Sequence, residues 1–239
     1  MPSMLVRTPI LLALCCCVLA PAAGAVTLMD QIGPDGSFQE GLSNNNTQIS
    51  NFYASATQFN IAVADDFTLA RSASVSSVEA ALFESNSSVG FGQITGLRVN
   101  FFSTQPSGSN FLTGDVLSAD IPIAAVTLTS PWTTSALTTL ASIDLSALNL
   151  VLSPGSYWLS VVAINNSFAT DMGILMSSFA GTPGNDNARQ VGSTLWGGGG
   201  DRGLNADAAF RVSGTPIPEP STLMLVGAGV LLLARRRTH

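Results

Sequence analysis

The chain has 239 residues, only 10% of them charged, no lysine and a formal net charge of −6. Such an acidic balance repels phosphate backbones, so nucleic acid is a poor partner. The one histidine is His239 and the three cysteines are Cys15, Cys16 and Cys17. Residues 26–215 therefore lack the side chains for a Ser-His-Asp triad, a cysteine nucleophile, a lysine Schiff base, a His/Cys zinc centre or a lysine-bearing phosphate loop.

At the N-terminus, Arg7 precedes an apolar run over residues 10–20, and Ala23-Gly24-Ala25 follows. This order predicts a secretory signal over residues 1–25, used by the Sec export machinery and cut after Ala25 at an Ala-x-Ala site formed with Ala23. The mature chain then begins at Val26. Leu14 precedes the first cysteine, which argues against a lipidated signal. Loss of the signal removes every cysteine, so the exported body must rely on its core rather than on disulfides. Once the terminal segments are set aside, five arginines face fourteen acidic residues, a net charge of −9.

The body, residues 26–213, is rich in Ser, Thr, Asn, Gly and Ala. Residues 26–28 read as an edge strand, Gly33-Pro34-Asp35-Gly36 as a turn, and residues 43–48 as a polar loop. Further strands are expected near residues 58–69, 75–83 and 94–102, the last with Leu97, Val99 and Phe101 on one face. Residues 105–110 read as a loop; short strands follow at 116–117, 121–128 and 137–145. Residues 148–152, Ser153-Pro154-Gly155 and residues 156–164 read as strand, turn, strand, a hairpin, with β-prone Tyr157, Trp158, Val161 and Val162. A strand at 172–179, loops at 181–187 and 197–200, and a closing strand at 208–212 complete the series. Ala208, Phe210 and Val212 should point inward. Roughly ten to twelve short strands at this spacing predict an all-β antiparallel sandwich or jelly roll. Residues 214–222 read as a proline-rich linker.

Carboxylates, amides and aromatics are the candidate ligand groups. Asp65 and Asp66 are adjacent, so on a strand they face opposite ways, one solvated and one bonded to backbone. Calcium is the one cofactor the residues leave open. It could sit on Asp65 and Asp66, on Asp201, Asn205 and Asp207, or on Asn185, Asp186 and Asn187, though no segment has the spacing of a calcium hand. Trp132, Trp158, Trp196, Tyr53 and Tyr157 could stack on sugar; Trp196, beside the glycine run, is the best exposed platform and Trp158 the best core residue.

The tail is the most specific stretch. Pro218-Glu219-Pro220 precedes an uncharged apolar run over residues 223–234, and Arg235, Arg236 and Arg237 follow. Twelve helical residues reach roughly 18 Å, short of the ~30 Å hydrocarbon core. The prolines oppose extension toward the body, and the arginines favour the cytoplasmic side, which puts the body outside. This ordered triple resembles the PEP-CTERM sorting signal of bacterial secreted proteins. The resemblance implies recognition and cutting by exosortase, an integral-membrane cysteine protease or transpeptidase, in bacteria that make exopolysaccharide and biofilm. It makes Pro218, Glu219 and Pro220 a substrate motif rather than an active site.

The body, too, resembles one that recurs among such proteins, through Ala64-Asp65-Asp66-Phe67, the stretch from Leu152 through Trp158 to Ser160, Trp196, and Ala209-Phe210-Arg211-Val212-Ser213-Gly214. That resemblance implies a β-sandwich with no established enzyme activity. Three readings follow: a non-enzymatic exported surface or matrix protein associated with exopolysaccharide, a carbohydrate-binding module aided by calcium, and a carboxylate-dependent polysaccharide hydrolase or lyase.

Overall fold

The computed structural model describes residues 24–32, 47–84, 91–108, 110–129, 138–166, 171–177, 185–192 and 200–218. The strands in chain order are β1 (Val26–Asp30), β2 (Thr47–Ile49), β3 (Asn51–Tyr53), β4 (Ile61–Leu69), β5 (Ala73–Glu84), β6 (Ile94–Phe102), β7 (Leu117–Pro122) and β8 (Val126–Thr129). Then come β9 (Thr138–Asp144), β10 (Val151–Leu152), β11 (Gly155–Asn165), β12 (Met172–Ser177), β13 (Arg189–Gly192), β14 (Arg202–Gly203), β15 (Asp207–Ala208) and β16 (Phe210–Pro216). Among the described residues there is no α-helix, and no helix long and apolar enough to cross a membrane.

Two sheets pack face to face. The nine-stranded sheet runs β1-β16-β5-β12-β15, with β9 and β10 also on β5, β8 on β9 and β2 on β12. The seven-stranded sheet runs β14-β13-β4-β3-β11-β6-β7, with β4 also on β11. Pairing is antiparallel throughout except between β3 and β11. Alternation on the long strands dictates the stacking. Leu97, Val99 and Phe101 of β6, Val63, Phe67 and Leu69 of β4, and Leu159 and Val161 of β11 share one core with residues of the other sheet. Those partners include Val75, Val78 and Leu82 of β5, Ile143 of β9, and Phe210 and Val212 of β16. Each such side chain contributes about 1.5–3 kcal/mol by leaving water. Phe67 meets Phe101 edge to face, with ring centroids 6.1 Å apart.

Two places show how the chain changes sheets. Ser50 lies between β2 in one sheet and β3 in the other. Its N–H donates to Met172 O and its carbonyl accepts from Ala163 N, one bond to each sheet. Its hydroxyl donates to Val161 O at 2.7 Å and accepts from Val63 N at 3.2 Å. The second crossing corrects an expectation. Residues 148–164 do not form a hairpin, because β10 pairs with β5 while β11 pairs with β4 and β6. Pro154 supplies no N–H and Gly155 takes φ 150°, which turns the chain from one sheet into the other rather than back along its own.

Other boundaries moved. Gln48 belongs to β2 rather than to a polar loop, and residues 117–122 are one strand, separated from β8 by a 3-10 turn at Ile123–Ala125. β3, β13 and β14 were not anticipated. Residues 214–216, read as the start of a linker, are the end of β16. The 33–36 turn, Trp132, residues 178–179 and most of the 197–200 glycine run lie outside the described residues.

Candidate functional site

The aspartate pair sits on β4 where period-two geometry puts it. Asp65 points into the sandwich and is 1% exposed; Asp66 faces outward and is half-buried. Asp65 accepts from Ala208 N at 2.6 Å and from Asp66 N at 2.9 Å, so it fastens β15 of one sheet to β4 of the other. Burial pushes its carboxyl up to about 8; the two N–H donors oppose that rise and the nearby Asp207 adds to it. Asp207 is also raised by burial, against the pull of the Asp186 and Asn185 N–H groups that its Oδ1 accepts at 2.9 and 3.2 Å. Asn185 Nδ2 donates to Asp66 Oδ2 at 3.4 Å.

Structure thus brings together Asp65, Asp66, Asp207, Asn185 and Asp186, which the sequence divided between a strand and two separate segments. Asp201 instead accepts from Gly108 N at 3.0 Å, away from that group, and Asn205 takes a left-handed φ of 53° in a turn. Among the described residues no group of three or more His, Cys, Asp or Glu side chains is placed to hold a metal ion.

The aromatic candidates separate by burial. Tyr53 is 1% exposed and its hydroxyl donates to Asp171 Oδ1 at 2.6 Å. Burial, and then the Asp171 carboxylate beside it, push the phenol upward; burial also raises Asp171. Tyr157 stacks at a tilt on Phe67, 5.9 Å between centroids. Trp158 is 9% exposed and packs with Ala64 and Phe102 on the outer face of the seven-stranded sheet. Trp196 lies outside the described residues. None of the described aromatics stands free as a stacking platform.

Two of the shallow surface hollows are lined by described residues. One, about 270 Å³, is lined by Leu28, Met29, Asp66, Phe67, Thr68 and Asn185. The other, about 290 Å³, lies under the loop after β6 and is walled by Phe102, Gln105, Asn110, Thr113 and Asp115 among others. The loop is held down by Gly114 N, which donates to buried Asn100 at 3.3 Å, and by Phe111, buried against Ala62, Val162 and Val191. Sequence reasoning missed this cover because nothing local marks the face on which a loop folds.

The C-terminal end of β16 has the most direct bearing on function. Pro216 is in register with Ala73, and one further backbone bond, Ile217 N to Ser72 O at 2.8 Å, is the last among the described residues. Pro218 is exposed. Glu219, Pro220, Arg235, Arg236 and Arg237 lie outside the described residues, as does Ala23; Ala25 is exposed just ahead of β1. Fold and exit together define a β-sandwich passenger whose C-terminal address begins where its last described strand stops. That address is a PEP-CTERM protein-sorting motif, matched over residues 216–237. The motif marks an exported protein, anchored transiently through its tail and sorted by exosortase, a membrane enzyme. No curated protein matches the chain.

Proposed function

We propose that the chain is a non-enzymatic surface or matrix protein, exported through the Sec machinery and released from its tail anchor to the cell surface, where it associates with exopolysaccharide in a biofilm. The observation that carries this reading is where the described ladder stops: Ile217 N makes its last backbone bond and Pro218, the first residue of the tripeptide, is exposed, so a membrane enzyme can reach that residue without opening the described strands. The described linings of the two hollows carry one carboxylate each, Asp66 in one and Asp115 in the other. Asp65 and Asp207 use carboxylate oxygens to accept backbone N–H groups.

Fractionation of a producing culture tests the proposal. Wild-type chain should be recovered with the extracellular polymer, and Glu219→Ala chain with the inner membrane. Equal membrane retention of both chains refutes it.

A second reading, a carbohydrate-binding module, draws on the hollow at Phe102, Gln105, Asn110 and Asp115, which has the amide and carboxylate groups that sugar hydroxyls pair with. A glycan array probed with the exported protein separates the two. Binding that Asn110→Ala and Gln105→Ala abolish favours the module.

A further inference from the structure

We propose that the end of the sandwich from which both termini leave is a membrane-contact surface, seated on the lipid headgroups while the tail is inserted. The proposal rests on the reading of the tail as a transient anchor and adds which face of the body meets the bilayer. Three observations converge on it.

The first is topological. Val26 opens β1 and is in register with Gly214 near the end of β16. The strands are antiparallel neighbours, so the chain enters and leaves the sandwich at the same rim. The described residues next to the two terminal segments, Ala25 and Pro218, therefore lie at that one rim.

The second is the tether. Among the described residues the last backbone bond to the body is made by Ile217, and the apolar run begins at Leu223. Five residues, 218–222, lie between them. At no more than about 3.6 Å each they span under ~20 Å even when fully extended. A headgroup layer of roughly 5–7 Å takes up part of that reach. The tether therefore keeps the exit rim within about 15 Å of the headgroups, a distance well under the roughly 40 Å length of the twelve-residue β5.

The third is the rim's composition. Four large apolar residues are exposed among those described: Val26 at 46%, Leu148 at 40%, Val151 at 56% and Leu128 at 37%. Scattered exposed residues of this kind are ordinary. Here three of the four gather at the exit. Val151 pairs with Ser74, which pairs on its other side with Thr215 of β16; Val26 pairs with Gly214; Leu148 lies on the turn leading into β10. β1, β16, β5 and β10 stand in a row about 14 Å across. Half-buried Ile217 and exposed Pro218 continue the same surface. Arg71 on the β4–β5 turn and Asp144 before the Leu148 turn are both exposed, so neither sign of charge dominates. The contact is therefore apolar and interfacial rather than a basic patch for acidic lipid.

The exported chain has no cysteine once the signal is gone, which makes single-cysteine labelling direct. Uncleaved chain, tail included, from cells lacking exosortase would be placed one copy per nanodisc of phosphatidylethanolamine and phosphatidylglycerol. A fluorophore is attached in turn at Leu148→Cys, Val151→Cys, Leu128→Cys, Asn166→Cys and Val226→Cys. Asn166, exposed after β11, marks the far end of the sandwich, Leu128 an exposed apolar edge away from the rim, and Val226 the tail. Spin-labelled lipid should quench positions 148 and 151 several-fold more than 128 and 166, and iodide should show the reverse order. Equal iodide access at 148, 151 and 166 with a shielded 226 overturns the membrane contact and leaves the anchor intact. A water-exposed 226 overturns both. Shielding at 148 and 151 that requires two copies per disc makes the rim a homodimer face, and also overturns the proposal.

Discussion

Replacing Asp65 by Asn separates two effects that the fold superimposes on one buried carboxyl. Its pKa rises from the ordinary value of 3.8 to about 8 in the folded chain, chiefly because burial disfavours the charge. Between those two values the folded state holds a proton that the unfolded state has lost. Stability from this group is therefore complete below about pH 4 and falls as pH rises toward about 8, by up to ~1.4 kcal/mol per pH unit. Integrated over the window, the loss is roughly 3–6 kcal/mol. Asparagine does not titrate, but its single carbonyl can serve only one of the two N–H donors, Ala208 and Asp66. Leaving the other without an acceptor costs about 1–3 kcal/mol at every pH. Wild type should thus be the more stable form near pH 5, and Asp65→Asn should equal or overtake it near pH 8.5. Asp171 is raised by burial too and gives both proteins the same background slope. Urea unfolding at the two pH values, compared as a difference between variants, reads Asp65 together with its coupling to Asp207. A difference that does not change with pH would refute the reasoning, since Asp65 would then be ionised in the fold throughout the range.

Gly214 tolerates no side chain: an added Cβ would lie 2.2 Å from Ser74 O, at the bulge where β16 meets β5. Gly214→Ala should cost at least about 2 kcal/mol in chemical denaturation, and an unchanged midpoint would contradict the close approach. Phe101, fully buried against Phe67, should cost about 3–5 kcal/mol on truncation to Ala, read from the same curves. Excess calcium should leave the melting temperature unchanged, because Asp65 and Asp207 already accept backbone N–H groups. A rise that Asp66→Ala removes would count against that view.

Strands whose apolar residues alternate on one face were legible in the sequence: residues 94–102 were read at the bounds of β6, and the inward set Ala208, Phe210 and Val212 lies in the core. Polar strands were not. β2 (Thr-Gln-Ile) and β13 (Arg-Gln-Val-Gly) carry no periodic signal and are held by pairing with partners far along the chain. The Ser-Pro-Gly turn was read correctly as a turn and wrongly as a hairpin. Proline and glycine bend the backbone alike whether the chain returns to its own sheet or crosses to the other.

At the aspartate pair, period two correctly put Asp65 and Asp66 on opposite faces. That Asp65 would meet Ala208 N, 143 residues away, has no local signature. Nor does the bond from Asn165 Nδ2 to Asn51 Oδ1 at 2.7 Å, which joins β11 to β3. The tail was the most legible part, because its function is carried by order along the chain rather than by contacts in space.

Intact-mass spectrometry of the protein recovered from a producing cell tests the central claim most directly. Two hydrophobic ends removed in transit predict a species that begins at Val26 and stops short of the apolar run at Leu223. A mature population that extends to His239 and stays in the inner membrane would contradict it.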